Sequence, residues 1–214
     1  IRDWSVTGVQ TFALPICKLI DPLNGEADLK AKVIRRCSPV ALEHDPLRAL
    51  RAVRQSIQLN ARIEPDTLRD IKAIAPDLSR TSPERVRDEF FKLLSTSKPW
   101  AALRVAGQLG LIAQTLPHAA QLSTAAWTVA LNAVEQLARI FETISPARTD
   151  NTAAAFGLGT MVVGIDRFRR RLQTHLAHLW PNERPHRALL ILALVLRAVN
   201  LHQGIGGRAL AEHY

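Results

Sequence analysis

From Asp45 onward, the sequence repeats one local pattern that strongly limits the possible folds. A capping residue or a proline is followed by apolar residues three and four positions apart. Proline fits the first turn of a helix, and this apolar spacing places side chains on one helix face. Helix starts are predicted at Asp45-Pro46, Pro65, Ser82-Pro83, Pro99 and Ser123, with further helices at about residues 161–179 and 185–201. Because strand patterns are weak, we expect an all-α fold, a multi-helix bundle followed by a second helical region.

The composition excludes several classes of protein. Of the 214 residues, 47% are hydrophobic and 22% charged, which is typical of a globular chain. Cys17 and Cys37 are too few for a disulfide framework, and the apolar run from Leu189 to Leu196 is shorter than the roughly 20 residues of a membrane span. A net charge of +9 favours a polyanionic partner. We therefore expect a cytoplasmic protein without a membrane partner.

Residues 1–16 differ from the rest of the chain because they show neither a helical nor a strand period. They resemble a translated sequencing adapter, so we expect a non-native segment; the alternative is an ordinary N-terminal loop. The last residues, 209–214, lie inside what reads as a further element. From both ends together we expect a fragment of a longer protein.

Three blocks of sequence resemble a known family. They are Ile20-Asp-Pro-Leu-Asn-Gly-Glu-Ala-Asp-Leu29, Asp45-Pro-Leu-Arg-Ala-Leu-Arg-Ala-Val-Arg54 and Thr81-Ser-Pro-Glu-Arg-Val-Arg-Asp-Glu-Phe-Phe-Lys-Leu-Leu94. In this order and spacing they resemble the class II tRNA nucleotidyltransferases, which include CCA-adding enzymes and bacterial poly(A) polymerases. Gly110 and Leu116-Pro117 continue the resemblance. It implies a neck and body at residues 17–120 that bind nucleotide and RNA, and a truncated, degenerate HD-like helical region at 121–214.

The second block has a chemistry that can be read directly from its residues. Arg48, Arg51 and Arg54 are three residues apart, so they form a slanting row along a helix. Guanidinium groups suit phosphates and base acceptors, and the carboxylate of Asp45 adds an acceptor. Arg54 falls at the edge of the apolar stripe, so its charge requires a partner or ligand.

The resemblance implies specific roles for these residues. Asp45 and Arg48 would select the incoming CTP or ATP, and Arg51 and Arg54 would also contact the nucleotide. The alternative is that Asp45 only caps the helix and the arginines are solvated. One departure is Gln55-Ser56, where the family usually has Phe-Ala. A second is that Glu43 stands one position away from its usual place.

The other two blocks leave two interpretations each. In the third block, Arg85, Arg87 and Lys92 are candidates for contacts with RNA phosphates. The alternative is that they form ion pairs with Glu84, Asp88 and Glu89. The first block reads as a Pro- and Gly-containing turn flanked by Asp21 and Asp28. The resemblance implies a mobile connection between head and neck, and the alternative is a plain solvated turn.

Nucleotidyl transfer requires metal ions held by carboxylates. The resembled family places its Asp-x-Asp pair and Gly-Ser loop in an N-terminal head, and residues 1–16 contain neither. We therefore expect that Mg²⁺ binds in an absent head, that the chain holds no catalytic or metal-ligating residue, and that it is inactive alone.

The second half of the chain resembles HD phosphohydrolase-like regions much more weakly. Val129 and Arg197-Ala198 stand where metal-binding His and His-Asp residues would lie. His175 and His178 remain a possible metal pair, but solvated histidines are the preferred interpretation because no third ligand is evident. A basic cluster at Arg167 and residues 169–171 either follows RNA phosphates or is a solvated face.

The sequence thus favours part of a CCA-adding tRNA nucleotidyltransferase that takes CTP and ATP as substrates and binds the 3′ end of tRNA or another RNA. Two alternatives stay open. One is a poly(A) polymerase, which shares the three blocks, and the other is a non-catalytic helical RNA-binding module.

Overall fold

The computed structural model describes residues 21–144, 167–180 and 184–203. The described residues form eleven α-helices, one 3₁₀ helix and two pairs of short strands, which confirms the predicted all-α class. The helices are α1 Gly25–Ala31, α2 Ala41–His44, α3 Leu47–Gln58, α4 Pro65–Ile74, α5 Pro83–Leu94, α6 Pro99–Gln108, α7 Ile112–Thr115, α8 Pro117–Ala120, α9 Thr124–Ile144, α10 Arg169–Ala177 and α11 His186–Gln203. The strands are β1 Val33–Ile34, β2 Arg62–Ile63, β3 Leu179–Trp180 and β4 Arg184–Pro185, and the 3₁₀ helix is Ala75–Arg80.

Helices α3 to α6 and α9 begin at or next to their predicted starts. The hydroxyl of Ser82 accepts the N–H of Arg85 at 3.4 Å, and that of Ser123 accepts the N–H of Ala126 at 3.2 Å. Each bond satisfies an N–H that the first helical turn leaves without an intrahelical partner. After α6 the chain turns at Gly110, whose φ of 78° is in the left-handed region that favours glycine.

The core lies between α3, α5, α6, α9 and α11. Leu50, Val53, Leu93, Leu103 and Ile191 have no exposed surface and belong to one hydrophobic cluster. Apolar residues spaced three and four apart in α3 to α6, including Leu47, Ile71, Phe90 and Leu103, are buried in this cluster. Helices on both sides of residue 120 contribute to it. The packing fixes α3 against α5, which determines where their polar flanks meet.

The small parallel pair β1–β2 connects the first block to the bundle. Val33 lies opposite Arg62, and Ile34 lies opposite Ile63. Arg35 follows β1 directly and donates to Asp28 in α1 at 3.0 Å and to Glu64 after β2 at 2.7 Å. The segment between the first and second blocks is therefore tied to the end of β2.

The last two helices differ from their predicted bounds. The described part of the first one ends at Ala177, and Leu179 instead lies in β3, opposite Pro185 of β4. The backbone at His178 is extended, with a ψ of 139°, and it leads into the antiparallel pair of β3 and β4. Pro185 therefore closes β4, and α11 begins at His186. Residues 1–16 and the predicted linker at 145–159 lie outside the described residues.

Among the helices within the described ranges, none is long and apolar enough to cross a lipid bilayer.

Candidate nucleotide-binding face

The polar flank where α3 meets α5 contains the sequence-predicted site. Leu47, Leu50 and Val53 point into the core with 2% or less of their surface exposed. Residues one position further along therefore lie beside that stripe rather than opposite it. We call this flank the α3–α5 face; it consists of Asp45, Arg48, Arg51 and Arg54 from around α3, and Arg85 and Glu89 from α5.

Asp45 sits in the junction between α2 and α3. Its Oδ1 accepts the N–H of Leu47 at 3.3 Å, and its Oδ2 accepts Nη2 of Arg85 at 2.9 Å. Its side chain keeps 20% of its surface exposed. A carboxylate offers about four acceptor positions, so these two bonds leave capacity for a ligand. Asp45 therefore accepts an N–H at the start of α3, and this bond does not exclude a second role.

Arg48 follows Asp45 by three residues, which is about one helical turn, and its side chain is exposed. Its Nη1 donates to the carbonyl oxygen of Ala41 in α2 at 3.3 Å. A guanidinium has five N–H donors, so most of its donor capacity remains available. The start of α3 therefore carries an acceptor and a donor three residues apart, both with exposed surface.

Arg51 and Arg54 converge on one carboxylate, that of Glu89. Nε of Arg54 lies 2.6 Å from Oε1, and Nε of Arg51 lies 3.6 Å from Oε2. The Glu89 side chain is only 3% exposed. Arg54 also donates from Nη1 to Oε1 of Gln58 at 2.7 Å. Since Arg51 remains 43% exposed, it is the member of this pair that reaches solvent more easily.

Sequence reasoning missed Glu89 as the partner that orients these arginines. The available signal was the position of Arg54 at the edge of the apolar stripe, which required a counter-charge. The third block carries three carboxylates, and helical spacing alone did not decide which of them faces α3. The α3–α5 face has four guanidinium groups and two carboxylates, so its charge surplus suits an anionic ligand.

The residues proposed to contact RNA are placed differently from one another. Arg85 faces Asp45, so it belongs to the α3–α5 face rather than to a separate basic surface. Nε of Arg87 lies 3.7 Å from Oδ1 of its neighbour Asp88, and Lys92 is exposed further along α5. Within α5, Arg87 forms an ion pair with Asp88. Glu89 instead pairs with the arginines of α3.

The first block forms a capped turn. The two carboxylate oxygens of Asp21 accept the N–H groups of Gly25 and Glu26, each at 2.8 Å. The bonds from the backbone of Glu26 and then Gly25 stabilise the ionised form and lower the pKa of Asp21. The interpretation as a turn flanked by carboxylates therefore matches the structure of this segment.

The second half of the described chain brings three histidines together. The ring centroid of His186 lies 4.7 Å from that of His175 and 5.2 Å from that of His178. His186 is a neighbour that the sequence did not reveal. Even so, no three His, Cys, Asp or Glu side chains within residues 21–144, 167–180 and 184–203 are arranged to hold a metal ion. Val129 is exposed on α9, and Arg197 is exposed on α11.

Comparisons with known proteins match part of the chain to a family and to curated relatives. Residues 60–122 match a family described as "Probable RNA and SrmB- binding site of polymerase A". The chain is 36% identical over 118 residues to a CC-adding tRNA nucleotidyltransferase of Synechocystis sp., covering 55% of this chain and 28% of that protein. It is 38% identical over 120 residues to a CCA-adding enzyme of Coxiella burnetii, covering 55% of this chain and 31% of that protein. Over the matched residues, the chain is therefore similar to tRNA nucleotidyltransferases.

Solved structures support the same fold. The crystal structure of a tRNA nucleotidyltransferase complexed with a primer tRNA and an incoming ATP analogue superposes with a TM-score of 0.59 at 20% identity. The match covers 91% of this chain and 46% of that chain. The present chain spans less than a third of the length of each of the two curated relatives named above. The described residues are similar in fold to that solved structure.

Proposed function

We propose that this chain supplies the nucleotide- and RNA-binding helices of a tRNA nucleotidyltransferase that adds CMP and AMP to the 3′ end of tRNA. In that reaction the 3′-hydroxyl oxygen of the RNA forms a bond to the α-phosphorus of CTP or ATP, and pyrophosphate leaves. The observation that carries the proposal is the presence of Asp45 and Arg48 three residues apart at the start of α3, an acceptor and a donor that both reach solvent.

The acceptor on Asp45 and the donor on Arg48 complement the bases of CTP and ATP. Cytosine carries an amino group at N4 beside the acceptor N3, and adenine carries one at N6 beside the acceptor N1. Asp45 would accept the amino group, and Arg48 would donate to the ring nitrogen. Uracil and guanine present an oxygen where the amino group stands, and that oxygen would face the carboxylate without a proton between them.

The remaining arginines would hold the rest of the nucleotide. Glu89 fixes the Nε side of Arg51 and Arg54, and we propose that their outer nitrogens contact the sugar and phosphates. Arg87 and Lys92 would contact RNA phosphates, and Arg85 would act mainly by holding Asp45. This contribution of Arg85 revises its expected role as an RNA contact.

Magnesium is the metal expected for the transfer step, because metal ions stabilise charge on the attacking and leaving oxygens. The donor groups in the described ranges do not fit it, since no three potential ligand side chains converge there. We therefore assign no Mg²⁺-dependent part of the transfer reaction to these residues. We propose that the metal is held in a separate head and that these helices bind nucleotide without transferring it.

Nucleotide binding provides the test. We expect the chain to bind CTP and ATP more tightly than UTP and GTP in isothermal titration calorimetry. Asp45→Ala and Arg48→Ala should each weaken CTP and ATP binding by about tenfold and reduce the discrimination. The matched control is Arg104→Ala, since Arg104 is exposed on α6 outside the α3–α5 face. Unchanged discrimination in both site variants would refute the assignment.

A poly(A) polymerase is the second candidate, and the description of the family matched by residues 60–122 favours it. It would bind ATP at the same face but would have no use for CTP. A chain that binds ATP and excludes CTP in the same titrations would therefore support poly(A) addition. A chain that binds RNA but neither nucleotide would support the non-catalytic module.

A further inference from the structure

A second cleft, of about 470 Å³, lies where α3 ends. Its walls come from the last turn of α3, from α5 and from β4. Arg54 lines it from α3, Phe91 and Lys92 line it from α5, and Arg184 lines it from β4. Arg184 lies outside the three sequence blocks that carry the family resemblance.

Arg184 is held in an unusual way for a surface arginine. Its guanidinium carbon lies 4.8 Å from the centroid of the Phe91 ring, a cation–π contact. Its Nε and Nη2 are buried and have no hydrogen-bond partner within the described chain. Oδ1 of Asp88 lies 3.7 Å from Nη2, which is beyond hydrogen-bonding distance.

These two nitrogens form one edge of the guanidinium plane. An arginine uses that edge to donate two parallel hydrogen bonds to a phosphate or carboxylate. Stacking on Phe91 fixes the plane in advance, so little side-chain entropy is lost when an oxyanion binds. Arg184 is thus prepared for a ligand with two adjacent oxygen acceptors.

The charges along the cleft favour an anion. Arg54 is already compensated by Glu89. That leaves Lys92 and Arg184 as cations, and Asp88, whose side chain is 56% exposed, as the anion among the lining residues. A phosphate group meets both requirements, negative charge and paired acceptors.

We propose that Arg184 and Lys92 bind a phosphodiester group of the RNA in this cleft. This inference rests on the proposed function, which supplies RNA as the ligand. Arg54 is shared between this cleft and the α3–α5 face. The far side of the cleft favours RNA over the phosphates of a nucleotide at Asp45, because Gln58 is 13 residues further along the chain, or about 20 Å along the helix axis. The cleft would hold the RNA backbone while the α3–α5 face holds the incoming nucleotide.

The test compares Arg184→Gln with wild type in binding a fluorescent tRNA minihelix that lacks its terminal CCA. Arg184→Gln should weaken binding by about tenfold, and the slope of log affinity against log salt should fall by about 1. Arg184→Lys keeps the charge and loses the paired donors, so we expect weaker binding with nearly the wild-type salt slope. Arg104→Gln, an exposed arginine outside this cleft, is the control and should change affinity less than about twofold.

Each result has one meaning. If Arg184→Gln binds the minihelix like Arg104→Gln, this inference fails while the proposed function stands. If Arg184→Gln loses CTP and ATP binding in calorimetry as much as RNA binding, the phosphate belongs to the nucleotide and the inference fails. If the wild-type chain binds no minihelix, both fail. Circular dichroism confirms folding, and Arg184→Lys replaces Arg184→Gln should the latter be unfolded.

Discussion

Glu89 decides how two arginines of α3 are oriented. A carboxylate this deeply buried is costly to desolvate, and its attraction to Arg54 and Arg51 offsets that cost only while both geometry and charge are kept. The pair therefore contributes less to net stability than its short distance suggests. Its consequence is positional, because the Nε sides of both guanidinium groups face Glu89. Nη1 of Arg54 is bound to Gln58, whereas the outer nitrogens of the more exposed Arg51 stay available.

Replacing Glu89 with glutamine tests this arrangement. Glu89→Gln preserves the shape but leaves Arg54, whose side chain is 17% exposed, without its counter-charge. We expect the free energy of unfolding in urea to fall by about 2 kcal/mol. Glu135→Gln is the matched control, since Glu135 pairs at 2.8 Å with the well-exposed Arg139 four residues away. It should cost under about 0.5 kcal/mol, and equal losses in the two variants would contradict the account.

The carboxylate of Asp21 gives a prediction for acid conditions. Its pKa is lowered in the folded chain by the N–H groups of Glu26 and Gly25. A lowered folded-state pKa contributes stability above the unfolded-state pKa, and this contribution is lost as pH falls through the folded-state pKa. Asp21→Asn should therefore have a lower Tm than wild type above about pH 4, and the two melting curves should converge below it. A Tm difference that stays constant down to low pH would exclude the ionised form as its cause.

At the level of helices, α6 and α9 approach each other closely at Gly107. A Cβ added there would lie 3.3 Å from Nε1 of Trp127, so a larger side chain must displace the indole. Gly107→Val should destabilise the chain by about 1–3 kcal/mol in urea unfolding. Ala113→Val on α7 is the control, because Ala113 is exposed. This substitution should lower the free energy of unfolding only by the difference in helix propensity, about 0.5 kcal/mol. Equal effects would mean that the indole moves aside freely.

The helices were predictable because local signals and packing agree in them. Pro83 and Ser82 start α5, and Phe90, Leu93 and Leu94 are buried at the predicted spacing. Short strands could not be predicted, since two-residue segments carry no period. Leu179 was therefore assigned to a helix, whereas pairing with Pro185 places it in β3.

The candidate site was only partly predictable for a related reason. Spacing along α3 predicted Asp45 and the three arginines on one flank. In the structure Arg51 and Arg54 converge on Glu89, whereas Asp45 and Arg48 have separate partners. Their partners come from residues 40 and 35 positions further along the chain, namely Arg85 for Asp45 and Glu89 for Arg54. Such contacts depend on how α3 packs against α5, which the sequence of either helix does not state.

Across the whole molecule, two binding regions follow one helix. The α3–α5 face begins at Asp45, and the cleft of Arg184 adjoins the last turn of α3. The net charge of +9 is consistent with an anionic partner for both, and the packed core holds them at a fixed separation. Recognition of a base and retention of an RNA backbone would then be separable by single substitutions.

The central claim is that Asp45 accepts a hydrogen bond from the amino group of the bound base. The most direct measurement is the ratio of CTP to UTP affinity, by calorimetry, for the wild-type chain, for Asp45→Asn and for Glu43→Gln, an exposed carboxylate two residues away. An amide can donate to the O4 of uracil, so Asp45→Asn should lower the ratio by about tenfold, toward one, while Glu43→Gln leaves it unchanged. The same ratio in all three proteins would contradict the claim.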